Sequence, residues 1–142
     1  MKISTRGQYS LEALLCIATE DPEKPCSIHT ISEKTHISDG YLEQLFIPLK
    51  KAKLIVGSRG IQGGYRLAKS PKEISAYEVL TLMEKSLKSI PCLNGDKCER
   101  EKICDSKFVW ASIDHSIDSL ISQITLDDLI QVYRGVQGEF YG

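Results

Sequence analysis

The sequence predicts a mostly α-helical chain with a small β-wing. Three observations carry that expectation. Apolar residues recur at three- and four-residue spacing in three blocks before residue 54, separated by a Pro-rich stop and a tight connection. A glycine-rich segment with β-capable flanks follows the third block. A long amphipathic stretch begins near Lys107.

The first helix is predicted over 9–18, where Leu11, Leu14, Leu15 and Ala18 share a face, with Ser4 or Thr5 as cap. Pro22 and Pro25 stop it. Ser27 caps a second, short helix over 28–35, with Ile28 and Ile31 inward. Residues 36–38 form a tight connection. Ser38 or Asp39 caps a third helix running to about Lys53, with Leu42, Leu45, Phe46 and Leu49 on one side. Pro48 inside it removes a hydrogen bond or bends it.

Residues 55–67 read as a hairpin whose tip holds Gly57, Gly60, Gly63 and Gly64. Ser75-Ala76-Tyr77-Glu78 is a capping box. It opens a helix that turns Ala76, Val79, Leu80, Met83 and Leu87 inward and ends before Pro91. Residues 92–105 are polar, cysteine-bearing and weakly patterned, hence a loop. Val109, Ile113, Ile117, Leu120, Ile121 and Ile124 stripe the long helix from about Lys107. Thr125-Leu126-Asp127-Asp128 caps a short last helix, and the Gly-rich tail after Arg134 is expected to fray.

Three helices and a Gly/Arg hairpin within 70 residues make a winged helix-turn-helix arrangement. The chain accordingly divides into a winged helix-turn-helix domain over 1–90, a cysteine loop over 91–106, and a long helix with a C-terminal segment over 107–142.

Composition narrows the classes. Hydrophobic residues are 42% and charged residues 26%, a globular mix. No apolar run reaches membrane length and no apolar segment follows the basic start, so a cytoplasmic protein without a membrane role is expected. The net charge of −1 argues against a general polyanion binder. That charge is unevenly placed, however. Through Lys69 there are ten basic and seven acidic residues, and between Glu43 and Glu73 seven basic residues and no acid. Such a basic face suits a phosphate backbone, although a charge run alone also fits a solvated face.

On the outer side of the third helix lie Ser38, Tyr41, Glu43 and Gln44. A helix in this position enters the major groove. Gln44 can bond adenine in a bidentate way, and Glu43 can accept from the cytosine amine or simply be solvated. Lys50, Lys51 and Lys53 are placed for phosphates, and Arg59 at the hairpin tip suits a narrow minor groove.

Five cysteines in a reducing compartment are poorly explained by bridges. Cys92-x5-Cys98-x5-Cys104 puts three thiols in one polar loop, a soft donor set suited to iron–sulfur or zinc. Three unligated thiols are the plain alternative. Cys16, in an apolar helix, reads as core, and Cys26 lies beside a cap. No C-x-x-C and no paired catalytic histidine support a thiol enzyme.

These residues resemble the Rrf-two family of bacterial winged-helix regulators, nearest its iron–sulfur cluster regulator (IscR-like) branch. The amino half also resembles the CymR-like branch. The matching segments are Met1-Lys2-Ile3-Ser4-Thr5-Arg6-Gly7, Ser38-Asp39-Gly40-Tyr41-Leu42-Glu43-Gln44-Leu45, Arg59-Gly60-Ile61-Gln62-Gly63-Gly64-Tyr65, the cysteines Cys92, Cys98 and Cys104, and Ile124-Thr125-Leu126-Asp127-Asp128-Leu129. The resemblance implies a transcription regulator, not an enzyme. It implies a homodimer joined chiefly through the helix from about Lys107, reading a pseudo-palindromic double-stranded DNA operator. It also implies an iron–sulfur cluster on Cys92, Cys98 and Cys104, two-iron favoured over four-iron. Such a cluster is oxygen-labile, so an apo form on purification is an expected outcome. The CymR-like branch implies instead a cluster-free repressor controlled by a partner, cysteine synthase. One departure stands out. Lys107 occupies the position where the cluster branch carries a histidine, and an ammonium has no lone pair to donate. The fourth ligand is thereby left among Asp105, His115, His36 and a donor near Gln8 of a partner subunit.

Overall fold

The computed structural model describes residues 2–88, 90–95, 97–100 and 102–141, with side chains for all of these except Pro91, Asn94 and residues 137–141. The elements run α1 (Thr5–Thr19), α2 (Ile28–Thr35), α3 (Asp39–Lys51), β1 (Ile55–Ser58), β2 (Gly64–Leu67), α4 (Ala76–Met83), α5 (Ser106–Gln123) and α6 (Leu126–Tyr141), with short 3₁₀ turns at Pro71–Glu73 and Pro91–Asn94. The fold is mostly helical with one two-stranded antiparallel sheet, as the sequence predicts.

Serine caps set the helix starts. Ser4, Ser27, Ser38 and Ser75 each accept a backbone N–H from the first turn they precede. His36 closes α2 in the left-handed region, φ 59°, and its N–H donates to the Ser32 carbonyl at 2.8 Å. The histidine thus serves the turn between α2 and α3. Lys53, φ 60°, does the same after α3. There the Leu54 N–H reaches the Leu49 carbonyl and the Lys53 N–H that of Lys50. This motif ends α3 at Lys51 and aims the chain into β1.

Phe46, from the middle of α3, sits at the centre of a core shared by Leu14 of α1, Ile31 of α2, Leu42, Leu45 and Leu49 of α3, Val79 of α4 and Leu126 of α6. The hairpin pairs Ile55 with Leu67 and Ser58 with Gly64. Its inner edge is extended by Cys26, which exchanges two backbone hydrogen bonds with Tyr65 (2.8 and 2.7 Å). That close approach requires Gly64. A Cβ there would collide with the Cys26 carbonyl group and stand 2.8 Å from the Ser27 nitrogen. Gly64→Ala is therefore expected to destabilise the fold by about 2 kcal/mol, since backbone must move to admit the methyl. A urea-unfolding midpoint unchanged from the parent would contradict this.

Four expectations are corrected. Ser75 caps α4, but Glu78 does not complete the box. Its carboxylate is taken by Lys69 Nζ at 3.0 Å, a charged partner that outcompetes a backbone amide. The reciprocal boxes lie instead at Ser70–Glu73 and at Thr125–Asp128. Secondly, α4 stops at Met83, and Leu87 is buried from an irregular segment. Glu84 leaves the helix because its carboxylate accepts from both the N–H (2.9 Å) and the hydroxyl (2.7 Å) of Ser4. Thirdly, the loop over 92–105 begins inside a 3₁₀ turn, Pro91–Asn94. Lastly, α6 does not fray at Arg134 but continues to Tyr141. Isolated glycines cost a helix only about 1 kcal/mol each, no proline follows Pro91, and Asp127 and Asp128 favour the helix dipole.

Packing of α5 departs most from the periodicity. Among its described residues the buried one is Asp114, 2% exposed, while Phe108, Val109, Trp110, Ile113 and Leu120 stand in solvent. Within one chain the apolar stripe of α5 is largely uncovered.

Candidate nucleic-acid interface and cysteine loop

The inner side of α3 is committed to the core, which leaves Glu43, Gln44, Ile47, Lys50 and Lys51 exposed on the outer side. The Ser38 hydroxyl accepts the Tyr41 N–H at 3.3 Å, and its own proton is free to donate outward. The Tyr41 ring is half-buried, edge-on to Tyr9 with centroids 5.8 Å apart. Tyr41 is therefore packed more deeply than a purely outward residue, and its ring also fixes α3 against α1.

The wing is locked to α3 by aromatic contact. Tyr65 packs on Phe46 at 4.6 Å between centroids, and Lys50 Nζ lies 5.7 Å over the Tyr65 ring. Lys50 and Arg59 consequently line one groove of about 450 Å³, floored by Gly57, Gly63 and Gly64 and closed by Ser27. Among the described residues, Lys50, Lys51, Lys53, Arg59 and Arg66 make no ion pair. Their charge is unneutralised on the surface that α3 and the wing share, which is how a phosphate-binding surface is prepared. The outer side of α3 and the wing tip are thus brought together by Tyr65, a residue that periodicity does not single out. Gly40 and Ile47 were also missed. Counting three and four residues on from Gln44 and Glu43 would have found Ile47.

The cysteine loop has different geometry. Cys92 is half-buried in its 3₁₀ turn, Cys98 is exposed, and Cys104 is half-buried just before α5. Among the described residues no three His, Cys, Asp or Glu side chains are gathered tightly enough to hold a metal, so the three sulfurs are not brought together. Cys104 is nevertheless prepared chemically. A hydrogen bond to the Ser106 hydroxyl (Sγ–Oγ 3.2 Å), then the Lys107 backbone N–H, and the charge of Arg100 hold its thiol below the usual range. The segment leading into the loop is tied twice: Glu84 to Ser4 at the start of α1, and Lys88 Nζ to Asp118 of α5 at 3.3 Å. Of the fourth-ligand candidates, His36 caps α2 through its backbone and is exposed, Asp105 stands at the N-terminus of α5, and His115 is exposed on it.

Cys16 and Cys26, given no role by sequence, are neighbours. The neighbouring Cys26 thiol holds the Cys16 thiol down to about 7, helped by Lys34 and opposed by burial. The same contact and burial push Cys26 strongly up. Cys16 is therefore expected to alkylate with a rate that rises through about pH 7, while Cys26 stays protected in the folded protein. Removing that thiol by Cys26→Ala should return the Cys16 midpoint toward that of an ordinary thiol. Peptide mapping after a timed iodoacetamide pulse reads both, and equal labelling of the two residues would contradict the assignment.

The sequence matches the Rrf2 family, described as an iron-dependent transcriptional regulator, over residues 3–132. The chain belongs to that family. It is 34% identical over 130 residues to the HTH-type transcriptional regulator IscR of Pectobacterium carotovorum, covering 92% of this chain and 79% of that protein. Against IscR of Aliivibrio salmonicida it is 35% identical over 130 residues, covering 92% and 77%. Among solved structures, T. potens IscR superposes with a TM-score of 0.78 at 32% identity, covering 96% of this chain and 91% of that one. CymR, the global cysteine regulator of B. subtilis, superposes at 0.77 and 31%, covering 93% and 98%. As an Rrf2 member the chain is a DNA-binding winged-helix transcription regulator rather than an enzyme. Among the described residues, no helix is long and apolar enough to cross a membrane.

Proposed function

We propose that the chain acts as a homodimer that reads two halves of a pseudo-palindromic operator and senses iron–sulfur or redox status through Cys92, Cys98 and Cys104. One observation supports the DNA half above others. Lys50 of α3 and Arg59 of the wing line a single groove, without acidic partners among the described residues. In this reading Gln44 and Glu43 meet base edges, Lys50 and Lys51 meet phosphates, and Arg59 enters the minor groove.

The donor chemistry of the loop fits a cluster: three soft thiols on irregular backbone, with the Cys104 thiol held below its usual range by Ser106 and its neighbours. Cys92, Cys98 and Cys104 would hold it, and Lys107 leaves the fourth position open. When bound, a cluster supplies sensitivity to oxidant, nitric oxide or iron shortage. The protein's own part is mechanical. Gathering the three cysteines orders a segment whose N-terminal flank Glu84 ties to α1 and Lys88 ties to α5, and so biases the placement of the two DNA-reading units. A bias of about 2.7 kcal/mol changes operator affinity about 100-fold.

The scattered sulfurs favour a second reading, a cluster-free regulator of cysteine metabolism as in the CymR branch. One experiment separates them. The protein is purified without air, incubated with iron and sulfide, and titrated against a duplex selected from a random-sequence library. Visible absorbance with a change in affinity supports sensing by a cluster. A colourless protein with unchanged affinity overturns that half.

A further inference from the structure

The outer side of α3 carries one side chain that the polar contacts above do not use. Ile47 is 63% exposed, three residues past Gln44, four past Glu43, and one turn before Lys50 and Lys51. Its neighbours Leu45, Phe46 and Leu49 are buried in the core. Packing within the chain does not explain an isoleucine here, and helix propensity would favour lysine, glutamine or glutamate. Gly40, Ile47 and Lys51 fall within about 40° of one another around the axis, flanked by Gln44 on one side and Glu43 on the other. A Cβ at Gly40 would meet nothing within 4 Å, so the backbone of the first turn is bare along the same line. Gly40 and Ile47 thus make a short apolar strip, ended by the charge of Lys51, within a basic, polar surface.

The major groove offers one apolar group at its base edges, the C5 methyl of thymine. The unpaired charges of Lys50, Lys51 and Arg59 around the strip select a polyanion as occupant. We propose that Ile47 is a specificity residue that packs on a thymine methyl beside the base pair read by Gln44. The proposal rests on α3 being the recognition helix and adds which chemical group of the operator it selects.

The test removes the methyl and nothing else. A duplex is selected from a random-sequence library with the parent protein, and each thymine is replaced singly by deoxyuridine. At one position per half-site the parent should lose about four-fold in affinity, the worth of one buried methyl. Ile47→Ala should bind the thymine duplex as weakly as the parent binds the duplex carrying deoxyuridine at that position in both half-sites, and should be indifferent to the replacement. Its melting curve should match the parent's, since the side chain is exposed. If no replacement weakens the parent, or if Ile47→Ala keeps the full deoxyuridine penalty, the proposal is overturned. If instead Gln44→Ala and Lys51→Ala also leave affinity untouched, α3 is not the recognition helix, and that reading falls first.

Discussion

Serine at Cys92, Cys98 and Cys104 together is expected to give a folded protein that stays colourless after anaerobic incubation with iron and sulfide. Its operator affinity should be the same with and without that treatment. The loop thiols contribute little to the fold. Cys98 is exposed, and the hydrogen bond between Cys104 and Ser106 is one that a serine hydroxyl can make in place of the thiol. Stability should therefore change by no more than about 0.5 kcal/mol. The sensing effect should vanish altogether, because three donors are the minimum that the loop supplies. The roughly 100-fold difference in affinity between treated and untreated parent would collapse to none. Visible absorbance and fluorescence anisotropy on the selected duplex measure the two effects separately. A triple variant that still gains or loses its operator with redox state would refute the role given to these thiols.

Leu120→Glu is expected to divide the proposed dimer. Leu120 is 61% exposed on α5 and Phe108 77%, while Asp114 on the same helix is buried. A helix that hides an aspartate and shows its leucine and phenylalanine is built for a surface beyond its own chain. In the proposed dimer a carboxylate at this position buries a charge in an apolar contact. The variant should sediment as a 15.9 kDa monomer. Its affinity for the full palindrome should fall about 100-fold or more, because the second half-site is no longer bound at high effective concentration. Affinity for an isolated half-site should not change, since α3 and the wing are untouched. A Leu120→Glu protein that remains dimeric with parental affinity would place the interface elsewhere.

Much of the fold was legible because its causes are local. Ser4, Ser27, Ser38 and Ser75 announce helix starts by chemistry that acts over three residues. Pro22 and Pro25 end the first helix, and the glycines mark the hairpin. The errors were local too, but decided by distant partners. Glu78 went to Lys69 and Glu84 to Ser4, so one capping box was lost and α4 shortened.

Of the interface, the residue types on α3 and at Arg59 could be read by counting along a helix and a hairpin. Counting could not show that Tyr65 would join them by packing on Phe46 and lying under Lys50, nor that Tyr41 would turn its ring to Tyr9. Cys16 and Cys26 are ten residues apart across two prolines, and their thiols meet only because the hairpin draws Cys26 onto Tyr65.

By itself, then, the order of residues determined the helices, the wing, the family and the cysteine spacing, since each depends on neighbours a few positions apart. Tertiary structure alone decided which apolar stripes are covered, leaving much of the α5 stripe and Ile47 in solvent. Periodicity defines a face, but only the packing of distant segments determines whether anything lies against it.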